Sequence, residues 1–207
     1  SDFRVDHKEA LEKLFVQVLG ILSAEGLVTL ERVMHDGTKI KAYAGLDSFR
    51  REEKIRAHLA MAEDQLVILK EEGFFVTSID NNPGVKKYLD DPNLVISTYA
   101  DFAFPTEYYD LVNAQYALPF NPPESFNSMF ERLTKSLKQG GIFAGQFFGK
   151  EDSWSNNKDM TFHSEAEIHS LLSAYTIHVF REEKREGETA LGENKFWHVF
   201  HVIAKKK

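Results

Sequence analysis

The sequence predicts an α/β fold, and three observations predict it. From about residue 67 onward, short runs rich in β-branched and aromatic residues alternate with amphipathic stretches, the rhythm of strands and helices taking turns along a sheet. One of these runs, Phe74-Phe75-Val76-Thr77-Ser78-Ile79-Asp80, is an apolar strand that ends in a carboxylate. Two consecutive strand-like runs, Thr176 to Arg181 and Phe196 to Ala204, close the chain and imply an antiparallel pair beside a parallel sheet. A mostly helical segment stands ahead of this pattern, so two parts are expected, residues 1–66 and 67–207.

The first part opens with a helix from Asp6 to Glu25, where Leu11, Leu14, Phe15, Val18, Leu19 and Leu22 recur at three and four and Gly26 is a natural stop. Leu27 to Met34 reads as a short strand closed by the turn His35-Asp36-Gly37-Thr38. Asp47 or Ser48 caps a long charged helix to Glu72, with Ile55, Leu59, Leu66 and Leu69 facing inward and Gly73 ending it. In the second part the strands are Phe75 to Ile79, Leu94 to Thr98, Leu111 to Ala114 and Ile142 to Phe147, the last entered through a turn at Gly140-Gly141. Helices fall at Pro83 to Leu89, Pro123 to Leu137, and from beyond Ser164 to Ala174. The hairpin joining the last two strands is long and charged. Asp110 stands at the start of a strand and reads as structural, Phe143, Phe147 and Phe148 read as strand core, and Lys205-Lys206-Lys207 as a solvated tail.

Bulk properties narrow the function classes. A chain of 207 residues that is 43% hydrophobic can bury a real core, and a net charge of -7 argues against a broad nucleic-acid footprint, which needs clustered Lys and Arg. A small-molecule partner is favoured. The absence of cysteine removes disulfides, thiolate chemistry and Cys-based zinc sites. No apolar run approaches the roughly 18 residues of a membrane span and no targeting signal opens the chain, so a cytoplasmic protein is expected. No metal site is expected. His198 and His201, three apart on a strand, face opposite sides, and no H-x-x-x-H occurs among the histidines.

Asp80 is the sharpest single signal. In doubly wound folds an acid at a strand's carboxyl end accepts hydrogen bonds from the two hydroxyls of a ribose, and it normally follows a glycine-rich turn by about 20 residues. Upstream of Asp80 there is no G-x-G-x-x-G; Gly20, Gly26, Gly37, Gly45 and Gly73 are isolated.

Two resemblances account for this mismatch. The segment Arg32-Val33-Met34-His35-Asp36-Gly37-Thr38-Lys39-Ile40-Lys41-Ala42, followed by Asp47-Ser48-Phe49-Arg50-Arg51-Glu52, resembles an internal piece of bacterial insertion-sequence transposases of the DDE kind. There, the acid matched by Asp36 is one of three carboxylates holding two metal ions; one acid cannot do that work, which excludes transposase catalysis. From about Val67 on, Val76-Thr77-Ser78-Ile79-Asp80, Tyr99-Ala100-Asp101-Phe102, Tyr109-Asp110-Leu111-Val112-Asn113-Ala114 and Leu137-Lys138-Gln139-Gly140-Gly141, with the closing Phe196-Trp197-His198-Val199-Phe200, are similar to class I methyltransferases that use S-adenosylmethionine, near the small-molecule and tellurite-resistance type.

The second resemblance implies a Rossmann-like sheet and a set of roles. Asp80 would bind the ribose hydroxyls with Asn81 beside it, Asp101 would accept from the adenine amino group with Phe102 on the ring, and Asn113, Ala114 and Gln115 would pass under the methionine part of the cofactor. Tyr116 and Pro119 would face the methyl acceptor. His163 is a candidate for acceptor-side work and Trp154 for covering the pocket, each weighed against an ordinary anchoring role in its loop. No residue is singled out as catalytic. In this chain the transposase-like piece stands where the family's first strand and glycine-rich turn would stand; Leu27 to Met34 could serve as a replacement central strand, placing His35-Asp36-Gly37 at the cofactor turn. The expected function is that of a methyltransferase-like protein, with an impaired cofactor site and, if active, a small-molecule acceptor. The alternatives are a non-catalytic fusion relic or interaction module that self-associates through sheet edges left by a missing middle strand, and last, transposase-related DNA processing.

Overall fold

The computed structural model describes residues 32–36, 67, 69–71, 73–87, 91–189 and 193–207. The helix expected over Asp6 to Glu25 lies outside the described residues, as does most of the one from Ser48 to Glu72. The end of the latter is helical at 67 and 69–71, and the chain leaves it through Gly73, whose φ of 86° is open to glycine at no steric cost.

Among the described residues eight strands form one sheet: β1 (Arg32–Asp36), β2 (Phe75–Asp80), β3 (Leu94–Ile96), β4 (Tyr109–Ala114), β5 (Leu137–Gly149), β6 (Phe162–His163), β7 (Tyr175–Glu188) and β8 (Asn194–Lys206). Their order across the sheet is β3-β2-β1-β4-β5-β8-β7, with β6 paired to the far end of β5. β1 to β5 run parallel, while β8 is antiparallel to both β5 and β7. The strand read from Leu27 to Met34 is found as Arg32–Asp36; residues 27–31 lie outside the described ones. It takes the middle of the sheet, with Val33 opposite Val76 on one side and Leu111 on the other, and Met34 fully buried. No gap is left between β2 and β4. From β1 the chain order runs outward to β2 and β3 in one direction, and β4 and β5 lie in the other. This makes the carboxyl edge between β1 and β4 the topological switch point where open α/β sheets bind their ligands.

On one face lies α1 (Pro123–Ser136), which starts as expected at a proline whose missing N–H costs nothing there. Phe126, Met129, Phe130 and Leu133 recur at three and four and are buried. Phe126 and Phe130 stack at 6.0 Å, and Phe130 meets Phe143 and Phe147 of β5 edge-on at 5.6 and 5.8 Å. Each such ring contributes roughly 1.5–3 kcal/mol by leaving water, so this aromatic layer is the main core. α2 (Glu165–Leu171) is opened by a capping box between Ser164 and Glu167, and stops three residues short of the expected Ala174.

Elsewhere the structure redraws the expected boundaries. Gly140 and Gly141 do not form a free turn. Leu137 already pairs with Tyr109 and Ile142 with Leu111, so the strand bulges between these pairs, with Gly140 at a φ of 77°. The Pro83 element is a 3₁₀ turn, Pro83–Lys87. β6, only two residues long, carries no periodic signal that a sequence could show. β7 and β8 extend through the charged stretch taken for hairpin loop, where Glu183 receives both Arg181 and Arg185 and Arg185 lies over the Trp197 ring. Among the described residues no helix is long and apolar enough to cross a membrane.

Candidate functional site

A cleft of about 230 Å³ opens at the carboxyl ends of β2 and β3. Ile79, Asp80 and Asn81 form its floor, Ser97 to Ala100 one wall, and Ala117, Phe120, Asn121, Pro122 and Ser125, from the turn and helix after β4, the other. Asp80 is 7% exposed. One carboxylate oxygen accepts the Asn82 N–H at 2.7 Å, Asn82 in turn accepts the Gly84 N–H at 2.9 Å, and the Asp80 carbonyl receives the Ser97 N–H at 2.9 Å. This run of side-chain-to-backbone bonds, formed because Asp and Asn favour such turns, fixes the acid at the strand end.

Of the other residues singled out from the sequence, the structure brings some to this cleft and not others. Asp101 is exposed. Its carboxylate accepts the Thr98 hydroxyl at 2.7 Å, while its own N–H donates to that hydroxyl at 3.1 Å. Phe102 sets its ring edge-on against Phe104 at 4.8 Å, and neither Asp101 nor Phe102 lines the cleft. The backbone of this wall is held from the opposite side. Arg132 of α1 donates to the carbonyls of Ala100 at 2.5 Å and Phe102 at 3.1 Å, its guanidinium lying 5.8 Å from the Phe104 ring. Asn113 and Ala114 end β4 and are buried, with Asn113 in register with His35 and Ala144. Gln115 follows, half-buried. Tyr116 adopts a φ of 55°, donates its N–H to the Gln146 side chain at 2.9 Å, and turns its ring toward Phe148 and Trp197. Pro119 is buried in a 3₁₀ turn, Leu118–Phe120, and accepts the Thr161 N–H at 2.9 Å through its carbonyl.

His163 sits behind the cleft wall rather than in it. Its ring lies 4.6 Å from Phe126 and 5.6 Å from Phe147, and Nδ1 has no hydrogen-bond partner. Burial pushes its pKa down to about 4, so it is a neutral core side chain at ordinary pH. Trp154 does not line the cleft either, and its ring lies 6.3 Å from that of Phe120, which does. It forms, with Trp197 and Phe148, an aromatic box around the Lys195 ammonium, which is ion-paired to Asp152. Burial lowers the Lys195 pKa, and Asp152 opposes that shift. His198 and His201 go to different acids: His198 accepts the Glu151 N–H at Nδ1 and meets Glu182 through Nε2 at 2.8 Å, and His201 lies 3.5 Å from Glu183.

Sequence reasoning singled out Pro119 in this stretch but missed the residues that form the far wall of the cleft, Ala117, Phe120, Asn121, Pro122 and Ser125. The paired Pro122-Pro123 ahead of an amphipathic helix was the signal for it, since such a helix start after a parallel strand falls at the sheet's carboxyl edge. Arg132 and Lys195 gave no signal, their partners lying 30–32 and 43 residues away along the chain. Chemically, the cleft offers a fixed carboxylate that can accept from a diol, and apolar and aromatic walls against which a planar base can lie.

No protein-family profile and no curated protein sequence matches the chain. Solved structures do. TehB from Haemophilus influenzae superposes with a TM-score of 0.64 at 14% identity over 91% of this chain, which spans 62% of the TehB chain. The N-methyltransferase NodS from Bradyrhizobium japonicum matches at 0.58 and 12% over 97% of each chain, and its complex with S-adenosylhomocysteine matches at 0.57 and 13% over 94% of this chain and 86% of that one. Magnesium protoporphyrin IX methyltransferase from Synechocystis, also with bound S-adenosylhomocysteine, matches at 0.52 and 15%, over 100% of this chain and 88% of that one. At these identities the likeness establishes the fold, a Rossmann-like methyltransferase sheet.

Proposed function

We propose that this chain binds S-adenosylmethionine with its adenosine half in the cleft, and that a small-molecule acceptor approaches from the Tyr116 and Phe120 side. The observation that carries this reading is Asp80, a buried carboxylate held at the end of the strand next to the switch point, on the floor of a cleft with aromatic walls. The residues present fit the group. Asp80 would accept the ribose hydroxyls, Tyr99 and Phe120 would enclose the base, and Ala100 and Ala117 leave room for it. Asp101 fits its implied role only after releasing Thr98, a rotation of one exposed side chain.

When bound, the cofactor supplies an electrophilic methyl group on a sulfonium. The work left to the chain is orientation and exclusion of water. Asp80 and its turn fix the sugar, Arg132 holds the wall that covers the base, and Tyr116, set by its backbone bond to Gln146, stands where an acceptor would enter. In this reading residues 1–66 supply the middle strand but not a glycine-rich turn after it. Each backbone hydrogen bond lost with that turn costs about 0.5–1.5 kcal/mol, so the affinity is reduced.

Calorimetric titration of the folded protein with S-adenosylhomocysteine, with Asp80→Ala in parallel, tests this. Saturable heat that Asp80→Ala abolishes is the expected result. A folded native protein giving no heat would show a fold kept without its cofactor.

A further inference from the structure

The side of the molecule behind the cleft holds a second polar construction. Lys195 and Asp152 form an ion pair whose side chains are both fully buried. The Lys195 ammonium lies 4.0 Å from the centroid of Trp197, 4.3 Å from Trp154 and 5.0 Å from Phe148. Three aromatic faces and a carboxylate around one ammonium is the arrangement by which proteins recognise alkylammonium ligands, except that here the cation belongs to the chain. Asp152 is engaged beyond the lysine: Oδ1 accepts the Trp154 N–H at 3.0 Å and Oδ2 the His198 N–H at 3.2 Å. The carboxylate thus ties the loop after β5 to β8.

That loop holds the cleft wall. Phe120, which lines the cleft, meets Trp154 at 6.3 Å and Phe148 at 6.1 Å, both members of the box. At its other end the loop grips the same turn by its backbone, Thr161 donating its N–H to the Pro119 carbonyl at 2.9 Å and its hydroxyl to the Asn121 carbonyl at 2.5 Å. A buried ion pair adds little net stability over an apolar filling of the same volume, whereas it fixes geometry through directed bonds.

We infer that Lys195 and Asp152 are a positioning pair: the box is an alkylammonium site occupied by the chain's own lysine, and its occupancy braces the Leu118–Phe120 turn that forms one wall of the cleft. Only the final step, from a braced wall to cofactor affinity, rests on the function proposed above.

Chemical rescue tests the brace. In Lys195→Ala, amide exchange measured by NMR at Phe120 and Asn121, whose N–H groups bond to Ala117 and Leu118, is expected to accelerate by about tenfold or more, with the α1 amides unchanged. Added n-propylammonium, which replaces the missing side chain, is expected to restore slow exchange saturably, and n-propanol is not. Both tryptophans of the chain stand in the box, so intrinsic fluorescence should follow the same emptying and refilling, and Lys195→Arg should lie close to the native protein. Native exchange at the turn in folded Lys195→Ala, or equal rescue by propanol, overturns the proposal. If Lys195→Ala does not fold, Lys195→Met/Asp152→Asn leaves no lone buried charge and takes its place, with the same acceleration expected and native exchange again overturning it. Under the cofactor reading, the Kd for S-adenosylhomocysteine also rises about tenfold, the change produced by ~1.4 kcal/mol of lost preorganisation. Failure of the native protein to bind that probe would remove the cofactor reading and leave the amide exchange to decide the brace.

Discussion

On one side of β4, the strands β5, β8 and β7 run for 13, 13 and 14 residues; on the other, β2 and β3 have 6 and 3, and β1 has 5 among the described residues. The long side carries the phenylalanine layer under α1 and a continuous antiparallel ladder. The short side carries the cleft floor, and its polar groups are spent on turns: Asp80 on Asn82, and Asp91 on Lys70, Ser78 and Asn93. The aromatic core and the cleft floor are therefore housed in different halves of the sheet, and the turn after β4 that forms the cleft's other wall lies between them. A cleft can be tuned at strand ends without disturbing the core that keeps the chain folded.

Three experiments break or sharpen that division. Phe130→Ala removes a ring set against Phe126, Phe143 and Phe147, and urea unfolding should show a loss of about 3–5 kcal/mol. A loss under ~1 kcal/mol would mean the aromatic layer is not the seat of stability. His163 gives the next largest effect. Its folded pKa of about 4 lies below the ordinary 6.5, so the unfolded chain binds the proton more tightly. Its contribution is complete above pH 6.5 and is lost as pH falls from there toward 4, in all about 3 kcal/mol. His163→Leu should flatten that part of the pH–stability curve, and an unchanged slope would place the titrating group elsewhere. The smallest effect belongs to the cleft. Arg132→Met frees the carbonyl of Ala100 in the cleft wall and that of Phe102 beside it, which under the proposed function should weaken S-adenosylhomocysteine by about 1–2 kcal/mol, roughly five- to thirtyfold in Kd. Unfolding should shift by less than that. If instead stability falls and Kd holds, the two halves are not separable in the way their strands suggest.

What the sequence made legible follows from the range of the interactions involved. β2, β4, β5, β8 and α1 were readable because a strand's alternation and a helix's three-and-four spacing are local. β1 was readable as a strand, and its place between β2 and β4 as one option among others. The outer part of β7 was not, because Arg181 to Glu188 is charged at nearly every position and only its partner strand explains its extension. At the cleft, Asp80 and Asn81 stand where strand-end logic puts them. Asp101 does not line it, because a hydroxyl three residues back gives its carboxylate a local partner that no motif spacing reveals. The Lys195 box was invisible for the opposite reason, being assembled from Phe148, Asp152, Trp154 and Trp197, which only the β5–β8 pairing brings together.

The order of β7 and β8 has a consequence for how the chain is made. β8 is translated after β7, yet it lies between β7 and β5. On the ribosome, β7 emerges with no neighbour to pair with, and stays so until β8 follows. The Arg, Glu and Lys of its outer part, Arg181 to Glu188, keep that stretch of the waiting strand hydrated and a poor template for other nascent chains.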